Sequence, residues 1–226
     1  MYQNDLVGLA FVYGYVIVLL LFTEKVVSKR YPVAARKFLH IMTGNIAFIL
    51  PLFMTRWIMA FLAAGPFILF TFLMSPYSPV KSLRGKTSEA GHGLGLVYYA
   101  ITWTVLAYIF WDHREIIAIG ILAMSYGDGL ASLIGSRFGK RKYVVLRDER
   151  SYVGSLTMFL ATFVLLLIAV VYYGVSLSFI KVVLLLGVAG ICMIVEGATP
   201  FGLDNLSVPF VAALLYWGLF VWQGFG

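Results

Sequence analysis

The chain has 226 residues, of which 62% are hydrophobic and only 12% are charged, and its mean hydropathy is +0.93. Soluble globular domains carry about 25% charged residues, so the composition excludes an ordinary soluble domain and indicates an integral membrane protein. The formal net charge of +7 raises the question of nucleic-acid binding. In a membrane protein, however, basic residues first of all set the orientation of the loops.

Eight apolar stretches come close to the length of about 20 residues that a helix needs to cross a bilayer. The first follows the sequence MYQND, which lacks the positive charges of a signal peptide, so we expect it to be a mature helix. The predicted spans are residues 6–22, 38–54, 57–74, 94–111, 116–134, 153–173, 179–195 and 206–221. The sequence therefore predicts an all-α fold in which residues 1–226 form one integral membrane domain, a polytopic bundle of about eight transmembrane helices.

Basic residues divide unevenly between the two sides of this bundle. Of 17 Lys and Arg residues, 14 fall in loops on one side, and only Arg56, Arg114 and Lys181 fall on the other. Cytoplasmic loops retain Lys and Arg, so we expect the basic side to face the cytoplasm and both termini to be non-cytoplasmic. The glycine-bearing loops share the basic side, which predicts a cell-membrane protein whose active site faces the cytoplasm. Because topology accounts for the charge, we expect no nucleic-acid partner.

The stretch SYGDGLASLIGSRFGKRK, residues 125–142, places an acid inside an apolar span. Gly127, Ala131, Gly135 and Gly139 recur every fourth residue, a spacing that lets another helix approach closely. Asp128 lies beside this stripe. An ionised carboxylate at that depth must be paired with a cation, hydrated or bound to a metal.

A basic run follows at the end of the same span and consists of Arg137, Lys140, Arg141 and Lys142. Such runs are usually solvated charges that anchor a helix at the membrane surface. Beside a buried acid and glycines, they also offer a surface for the phosphates of a nucleotide. The segment GSRFGKR is not a Walker loop, because it has three residues between its glycines and Arg after its Lys.

A second polar group, EGATPFGLDN at residues 196–205, joins the last two predicted spans. Asp204 at a helix start is commonly an N-cap, and Glu196 at a membrane edge is commonly solvated. Two carboxylates and the amide of Asn205 in one short turn also offer oxygen ligands to Mg²⁺, which takes one or two carboxylates plus substrate phosphates.

Two further groups contain histidine. In RKFLHIMTGN, Arg36 and His40 share a helix face, and Lys37 adjoins them. In KTSEAGHGLG, the spacing of Glu89 and His92 resembles a metal-binding pair, but no third ligand is near in sequence and we do not expect zinc.

These groups, in this order, resemble the membrane-embedded polyprenol kinases, a family that includes dolichol kinase, phytol and farnesol kinases and CTP-dependent diacylglycerol kinase. The matching residues are RKFLH at 36–40, Glu89 through Gly95 with Tyr98 and Tyr99, the Asp128 stretch with its glycines, and the Glu196 to Asn205 turn. The resemblance covers about residues 30–215. One element departs from it, since members commonly carry Lys-Ser/Thr-x-Glu-Gly-Ser where this chain has RSYVGS at 150–155.

The resemblance implies that the protein transfers the terminal phosphoryl group of a nucleoside triphosphate, CTP, to the hydroxyl of an isoprenoid alcohol of the dolichol, geranylgeraniol or phytol type. Phosphoryl transfer requires positioning and charge neutralisation, which the residues offer. The implied Mg²⁺ ligands are Asp128, Glu196 and Asp204. The implied phosphate contacts are Lys140, Arg141, Lys142, Arg150, Ser151 and Asn205, with Arg36, Lys37 and His40 as further phosphate or acceptor contacts. Asp128, Asp204 and His40 are the expected catalytic residues, and Asp128 is either a metal ligand, the acceptor of the alcohol proton, or both in turn.

Two other functions stay open at this point. The last span also resembles membrane cytidylyltransferases, which make CDP-lipids from CTP and release pyrophosphate. A non-enzymatic lipid or ion transporter would instead use buried Asp128 for ion coupling, and it would require polar residues spread through the bilayer.

Overall fold

The computed structural model describes residues 2–80, 93–145 and 148–222, and all their side chains except those of Arg30, Pro32 and Val33. Eight principal helices run through these described residues. They are α1 Gln3–Val27, α2 Pro32–Thr43, α3 Ile58–Leu73, α4 Gly95–Ile109, α5 Arg114–Phe138, α6 Tyr152–Tyr172, α7 Phe179–Ala198 and α8 Asp204–Trp222. Three short helical turns accompany them, at Ser28–Arg30, Gly44–Phe48 and Leu50–Leu52.

Five of the helices, α1, α5, α6, α7 and α8, are long and apolar enough to cross a membrane by length and composition. Helices α3 and α4 are apolar but shorter. The predicted class, a helical membrane protein, is confirmed. The number of spans and the side on which the termini lie stay predictions from hydropathy and the Lys and Arg distribution.

Helix α5 lies at the centre of the bundle. In its most apolar window 78% of the residues are buried, compared with 22% for α1 and 39% for α8. Small residues allow this packing: a Cβ added at Gly120 would lie 2.7 Å from the carbonyl oxygen of Pro209, in α8. The outer helices expose rows of large apolar side chains instead, such as Leu160, Val164 and Ile168 on α6. Such rows are compatible with hydrocarbon and would be unfavourable in water.

The predicted stripe of small residues packs against the start of α6. A Cβ at Gly135 would lie 3.0 Å from the Cα of Gly154, and one at Gly127 would lie 2.4 Å from Thr162 Oγ1. The stripe therefore brings the backbones of α5 and α6 close together, as its spacing predicts. Asp128 is placed beside this contact.

The second predicted span differs most from the structure. The sequence predicts a helix over residues 38–54, whereas α2 begins at Pro32 and ends at Thr43, with the turns Gly44–Phe48 and Leu50–Leu52 following. Hydropathy places the start too late because the first turns of α2 carry Arg36 and Lys37. Proline suits the first helical position, since its fixed φ is pre-organised and its missing N–H would be unpaired there.

The loop between α5 and α6 forms a β-hairpin that an all-α prediction omits. Strand β1, Lys142–Val145, pairs antiparallel with β2, Asp148–Ser151. The register sets Tyr143 opposite Arg150, so both side chains lie on the same face. Tyr143 bonds Ser155 of α6 through their hydroxyls, 2.7 Å apart, which holds this face against the helices.

A network of polar contacts ties the other end of the bundle. Asp5 accepts hydrogen bonds from the backbone N–H groups of Met54 and Thr55 and from the Thr55 hydroxyl, at 2.8, 3.1 and 2.8 Å. Arg56 pairs with Asp112 at 2.9 Å, across the α2–α3 and α4–α5 connections. These contacts account for the polar residues at this end as structural groups.

Candidate functional site

Three buried carboxylates from three helices meet at the hairpin end of the bundle. Asp128 ends a π-helical turn in α5, Glu196 lies in the last turn of α7, and Asp204 is the first residue of α8. One carboxylate oxygen from each lies within 4.8 Å of the others, and the residues are only 4%, 3% and 6% exposed. Extra π turns inside α-helices occur frequently at functional sites.

The turn between α7 and α8 fixes the position of Asp204 through an unusual backbone. Phe201 has φ 61° and Gly202 has φ 74°, so two consecutive residues adopt the left-handed conformation. That conformation is unfavourable for phenylalanine and persists where neighbouring contacts hold it. Here Asp148 of the hairpin accepts a hydrogen bond from the Phe201 N–H at 2.9 Å. The hairpin therefore positions the start of α8.

Arg150 extends from the hairpin into the acidic cluster. Its guanidinium bonds Glu196, contacts Asp204 at 3.2 Å, and donates to the Thr199 carbonyl oxygen at 3.0 Å. Burial lowers the pKa of Arg150, but the carboxylates of Glu196 and Asp204 act in the opposite sense and raise it above its ordinary value. Arg150 is thus a fixed positive charge between two of the three acids.

Asp128 is contacted from another side by α2. Lys37 Nζ and His40 Nε2 each lie 3.5 Å from Asp128 Oδ2. His40 Nε2 also lies 3.2 Å from the carbonyl oxygen of Met124. A carbonyl oxygen only accepts hydrogen bonds, so this contact requires a proton on Nε2, and Nδ1 is the accepting nitrogen whenever the ring is neutral.

A tyrosine supports His40 from α4. The Tyr99 ring packs edge-on against the imidazole at 4.7 Å between centroids, and its hydroxyl lies 2.9 Å from Ser125 Oγ. Sequence reasoning noted Tyr99 only within the family resemblance and assigned nothing to Ser125. The position of Ser125, three residues before Asp128 in the same turn, is the signal that would have drawn attention to it.

Asn205 and Arg36 lie beside the acids. Asn205 Nδ2 donates to Asp204 Oδ1 and to the Gly202 carbonyl oxygen, both at 3.2 Å. Its Oδ1 is buried and has no hydrogen-bond partner in the described part of the chain. A Cβ at Gly95 would lie 3.3 Å from the guanidinium of Arg36 and 3.4 Å from Asn205 Nδ2, so these two side chains converge on the backbone at the start of α4.

A polar cavity of about 280 Å³ adjoins the cluster between the end of α5, the hairpin and the start of α6. Lys142, Arg150, Ser151 and Glu196 line it. Ser151 also caps α6, because its hydroxyl accepts from the Gly154 N–H at 3.0 Å. Lys142 is exposed and pairs with Glu149 at 2.7 Å.

Two predicted phosphate contacts form no ion pair with the acids within the described part of the chain and do not line the adjoining cavity. Lys140 and Arg141 are exposed at the start of the hairpin. Glu89 and His92 lie outside the described residues. The structure therefore brings Arg36, Lys37, His40, Arg150 and Asn205 to the three acids, with Lys142 and Ser151 at the adjoining cavity.

The acidic cluster has the chemistry of a divalent-cation site. Hard cations such as Mg²⁺ take oxygen ligands, and Mg²⁺ is usually bound by one or two carboxylates together with substrate phosphates. Asp128, Glu196 and Asp204 supply such oxygens in one place, and Asn205, the residue after Asp204, has a buried Oδ1 that accepts no hydrogen bond from the residues that the structure describes. Three acids this close also require compensating positive charge, which Arg150, Lys37 and Arg36 supply.

The fold and this site define a helical membrane protein with a buried acidic and basic centre at one end of the bundle. A protein of Synechocystis sp. named phytol kinase is 36% identical over 197 residues, which cover 84% of this chain and 81% of that protein. A probable chloroplastic phytol kinase of Glycine max is 29% identical over 203 residues, or 82% of this chain and 65% of that protein. Phytol kinase 1 of Arabidopsis thaliana, also chloroplastic, is 27% identical over 198 residues. The chain belongs to the polyprenol and phytol kinase family, which confirms the resemblance seen in the sequence.

No family model and no solved structure matches the chain.

Proposed function

We propose that this protein is a membrane-embedded kinase that transfers the terminal phosphoryl group of CTP to the hydroxyl of an isoprenoid alcohol of the phytol type at the cytoplasmic membrane face. The observation that carries the proposal is the meeting of Asp128, Glu196 and Asp204 within 4.8 Å, next to Lys37 and Arg150. The names of the relatives support an isoprenoid alcohol as acceptor. The choice of CTP rests on the resemblance to CTP-dependent members of the family.

Asp128, Glu196 and Asp204 would hold Mg²⁺, with Asn205 Oδ1 as a further oxygen. When bound, the ion neutralises the charge that develops on the phosphates. Arg150 acts on the same charge through its fixed guanidinium. Lys142 and Ser151 line the adjoining polar cavity, which gives the phosphates of the nucleotide a path to the acids from the hairpin side.

The reaction forms one bond and breaks one. The alcohol oxygen bonds to the terminal phosphorus, the bond from that phosphorus to the bridging oxygen breaks, and the electron pair leaves on the nucleoside diphosphate. The hydroxyl proton passes to Asp128, whose Oδ2 faces Lys37 and His40. A positioned base of this kind contributes about 10²–10⁴-fold in rate.

The proposal is tested with purified protein in nanodiscs, Mg²⁺ and radiolabelled nucleotide. CTP, ATP, GTP and UTP are crossed against phytol, geranylgeraniol, dolichol and diacylglycerol. A phosphorylated alcohol together with CDP supports the kinase. Pyrophosphate and a CDP-lipid would instead support the cytidylyltransferase, and the absence of any nucleotide-dependent product would leave the transporter.

Paired variants test the assignment of the acids. Asp128→Asn and Asp204→Asn are expected to lower turnover at least about 100-fold. Asp112→Asn is the matched control, because Asp112 is 71% exposed in its side chain and pairs with Arg56 at the other end of the bundle. Full turnover in both site variants would refute the assignment.

A further inference from the structure

A large apolar cavity lies beside the acidic cluster, between α1, α2, α3 and α4. Its volume is about 700 Å³, and most of its lining is aliphatic or aromatic. This size lies within the range of small-molecule binding sites, about 300–1,000 Å³. Neither the proposed phosphoryl chemistry nor the packing of the bundle accounts for a void of this size, since protein interiors are otherwise closely packed.

The cavity is elongated along α1. The lining residues from α1 and the turn that follows it run from Val12 to Ser28, a distance of about 24 Å at 1.5 Å per residue. At about 30 Å³ for each small group, the share of one water in the liquid, a volume of about 700 Å³ holds about 23 such groups. A twenty-carbon isoprenoid alcohol, with its one oxygen, fits this volume, whereas a dolichol with many more isoprene units does not.

The polar side of the cavity adjoins Asp128. His40 and Tyr99 line the cavity, and His40 Nε2 is 3.5 Å from Asp128 Oδ2. A hydroxyl placed beside His40 Nε2 would therefore lie close to Asp128 Oδ2. A chain that extends from there towards Leu50 and Phe53 contacts mainly apolar side chains.

The cavity is closed at one end and open at the other. Phe53 is fully buried and lines the inner end of the cavity. Its ring packs closely against α1, because a Cβ added at Gly8 would lie 3.0 Å from it. Glu24 and Phe70 also line the cavity but are exposed, which marks the side where it meets the exterior. A lipid can enter there without crossing the polar centre.

We infer that this cavity binds the hydrocarbon chain of the acceptor, an isoprenoid alcohol of about twenty carbons, and that its inner wall limits chain length. This inference rests on the proposed function, because it places the hydroxyl at Asp128. Ala107 and Phe53 lie in the inner wall. Ala107 follows Tyr99 by eight residues on α4, so it lies about 12 Å further along the helix, level with the distal part of a bound chain.

Photo-crosslinking tests where the chain binds, independently of turnover. The probe is a geranylgeraniol analogue with a diazirine at the end of its tail, added to the full chain in nanodiscs with and without excess geranylgeraniol. We expect crosslinks, suppressed by the competitor, on inner-wall residues such as Leu50, Phe53 and Met59. Crosslinks confined to the exposed row on α6, including Leu160 and Val164, would overturn the inference. Crosslinks in the cavity without any phosphorylated alcohol would instead refute the kinase and leave the binding site standing.

Chain-length preference tests the inner wall. Ala107→Leu fills the distal part of the cavity, so we expect the ratio of kcat/KM for geranylgeraniol to that for farnesol to fall at least about tenfold. Space for one methylene group in a hydrophobic pocket changes such a ratio by about 10-fold or more. Ala63→Leu makes the same change on the facing helix α3 and serves if the first variant is unstable. Ala10→Leu is the control, because Ala10 is exposed on α1 outside the cavity. An unchanged ratio in both folded cavity variants would overturn the role of the wall in setting length.

Discussion

Arg150 is the residue whose removal most directly tests the electrostatics of the acidic cluster. At 4.8 Å and an effective dielectric constant of about 20, each pair of ionised carboxylates repels by about 3 kcal/mol. The Arg150 side chain, only 17% exposed, offsets this repulsion through its contacts to Glu196 and Asp204. Removing one partner of a buried ion pair costs about 3–5 kcal/mol, so Arg150→Met is expected to destabilise the protein by that amount without divalent cations.

Thermal unfolding measures this effect, and the chain carries its own probe. Cys192 is its single cysteine and is fully buried, so a fluorogenic maleimide reports when α7 becomes exposed. At about 2–4 °C per kcal/mol for a chain of this length, the Tm of Arg150→Met should fall by about 6–20 °C. Arg150→Lys should recover only part of the loss, because an ammonium group cannot reproduce the planar fork that contacts Glu196, Asp204 and the Thr199 carbonyl oxygen together.

Magnesium distinguishes the electrostatic account from a simple packing defect. A bound divalent cation replaces the missing positive charge, so Mg²⁺ should raise the Tm of Arg150→Met more than that of the unsubstituted protein. A Tm for Arg150→Met equal to that of the unsubstituted protein without divalent cations would refute the reasoning. An equal response of both proteins to Mg²⁺ would refute the placement of the cation at this cluster.

Three further substitutions, two of them with a matched control, separate structural from chemical roles. Gly135→Ala is expected to lower both Tm and turnover, since its Cβ would lie 3.0 Å from the Cα of Gly154. The control is Gly187→Ala, whose Cβ meets no atom within 4 Å, so it should be neutral or stabilising in the same unfolding assay. Ser151→Ala and Ser178→Ala each remove an N-cap and should lower the free energy of unfolding by about 1 kcal/mol. Only Ser151→Ala should raise KM for the nucleotide in a steady-state assay. Equal KM values for the two variants would exclude Ser151 from nucleotide binding. Asp5→Asn should lower the Tm while leaving kcat within about twofold, because Asp5 holds the turn at Met54 and Thr55 at the other end of the bundle; a large loss of kcat would contradict that structural role.

Long apolar helices were predictable because their signal is local. The predicted span at residues 153–173 differs by one residue at each end from α6, Tyr152–Tyr172. The start of α2 was predicted six residues too late, because hydropathy does not detect a helix turn that carries Arg36 and Lys37. The hairpin was missed because strands of four residues, Lys142–Val145 and Asp148–Ser151, have too few alternations to stand out from a polar loop.

Acids were easier to identify in the sequence than their partners. Asp128 stands out because an acid within an apolar helix is costly, and Asp204 stands out because it opens a helix after a Pro and Gly turn. The position of Arg150 among the acids depends on the hairpin register, which decides the face on which its side chain lies. The apolar cavity has no sequence signal, because it depends on how four helices leave space between them.

The three acids have neighbours from two different sides, the polar cavity at the hairpin and the apolar cavity at α2, and this separates their roles in the proposed reaction. Glu196 lines the polar cavity and, with Asp204, is held by Arg150 from the hairpin side. Asp128 is contacted by Lys37 and by His40, which lines the apolar cavity. A nucleotide binds in a polar site and a lipid chain binds in an apolar one. An enzyme that joins the two substrates therefore needs these sites to adjoin each other where the reacting atoms meet. In this bundle the two environments approach each other at Asp128, because its π-helical turn in α5 packs against α2 on one side and against α6 and α8 on the other, and Arg150 of the hairpin contacts Asp204 at the start of α8. Of the three acids, Asp128 is therefore the one suited to take the proton of a hydroxyl that arrives from the apolar side.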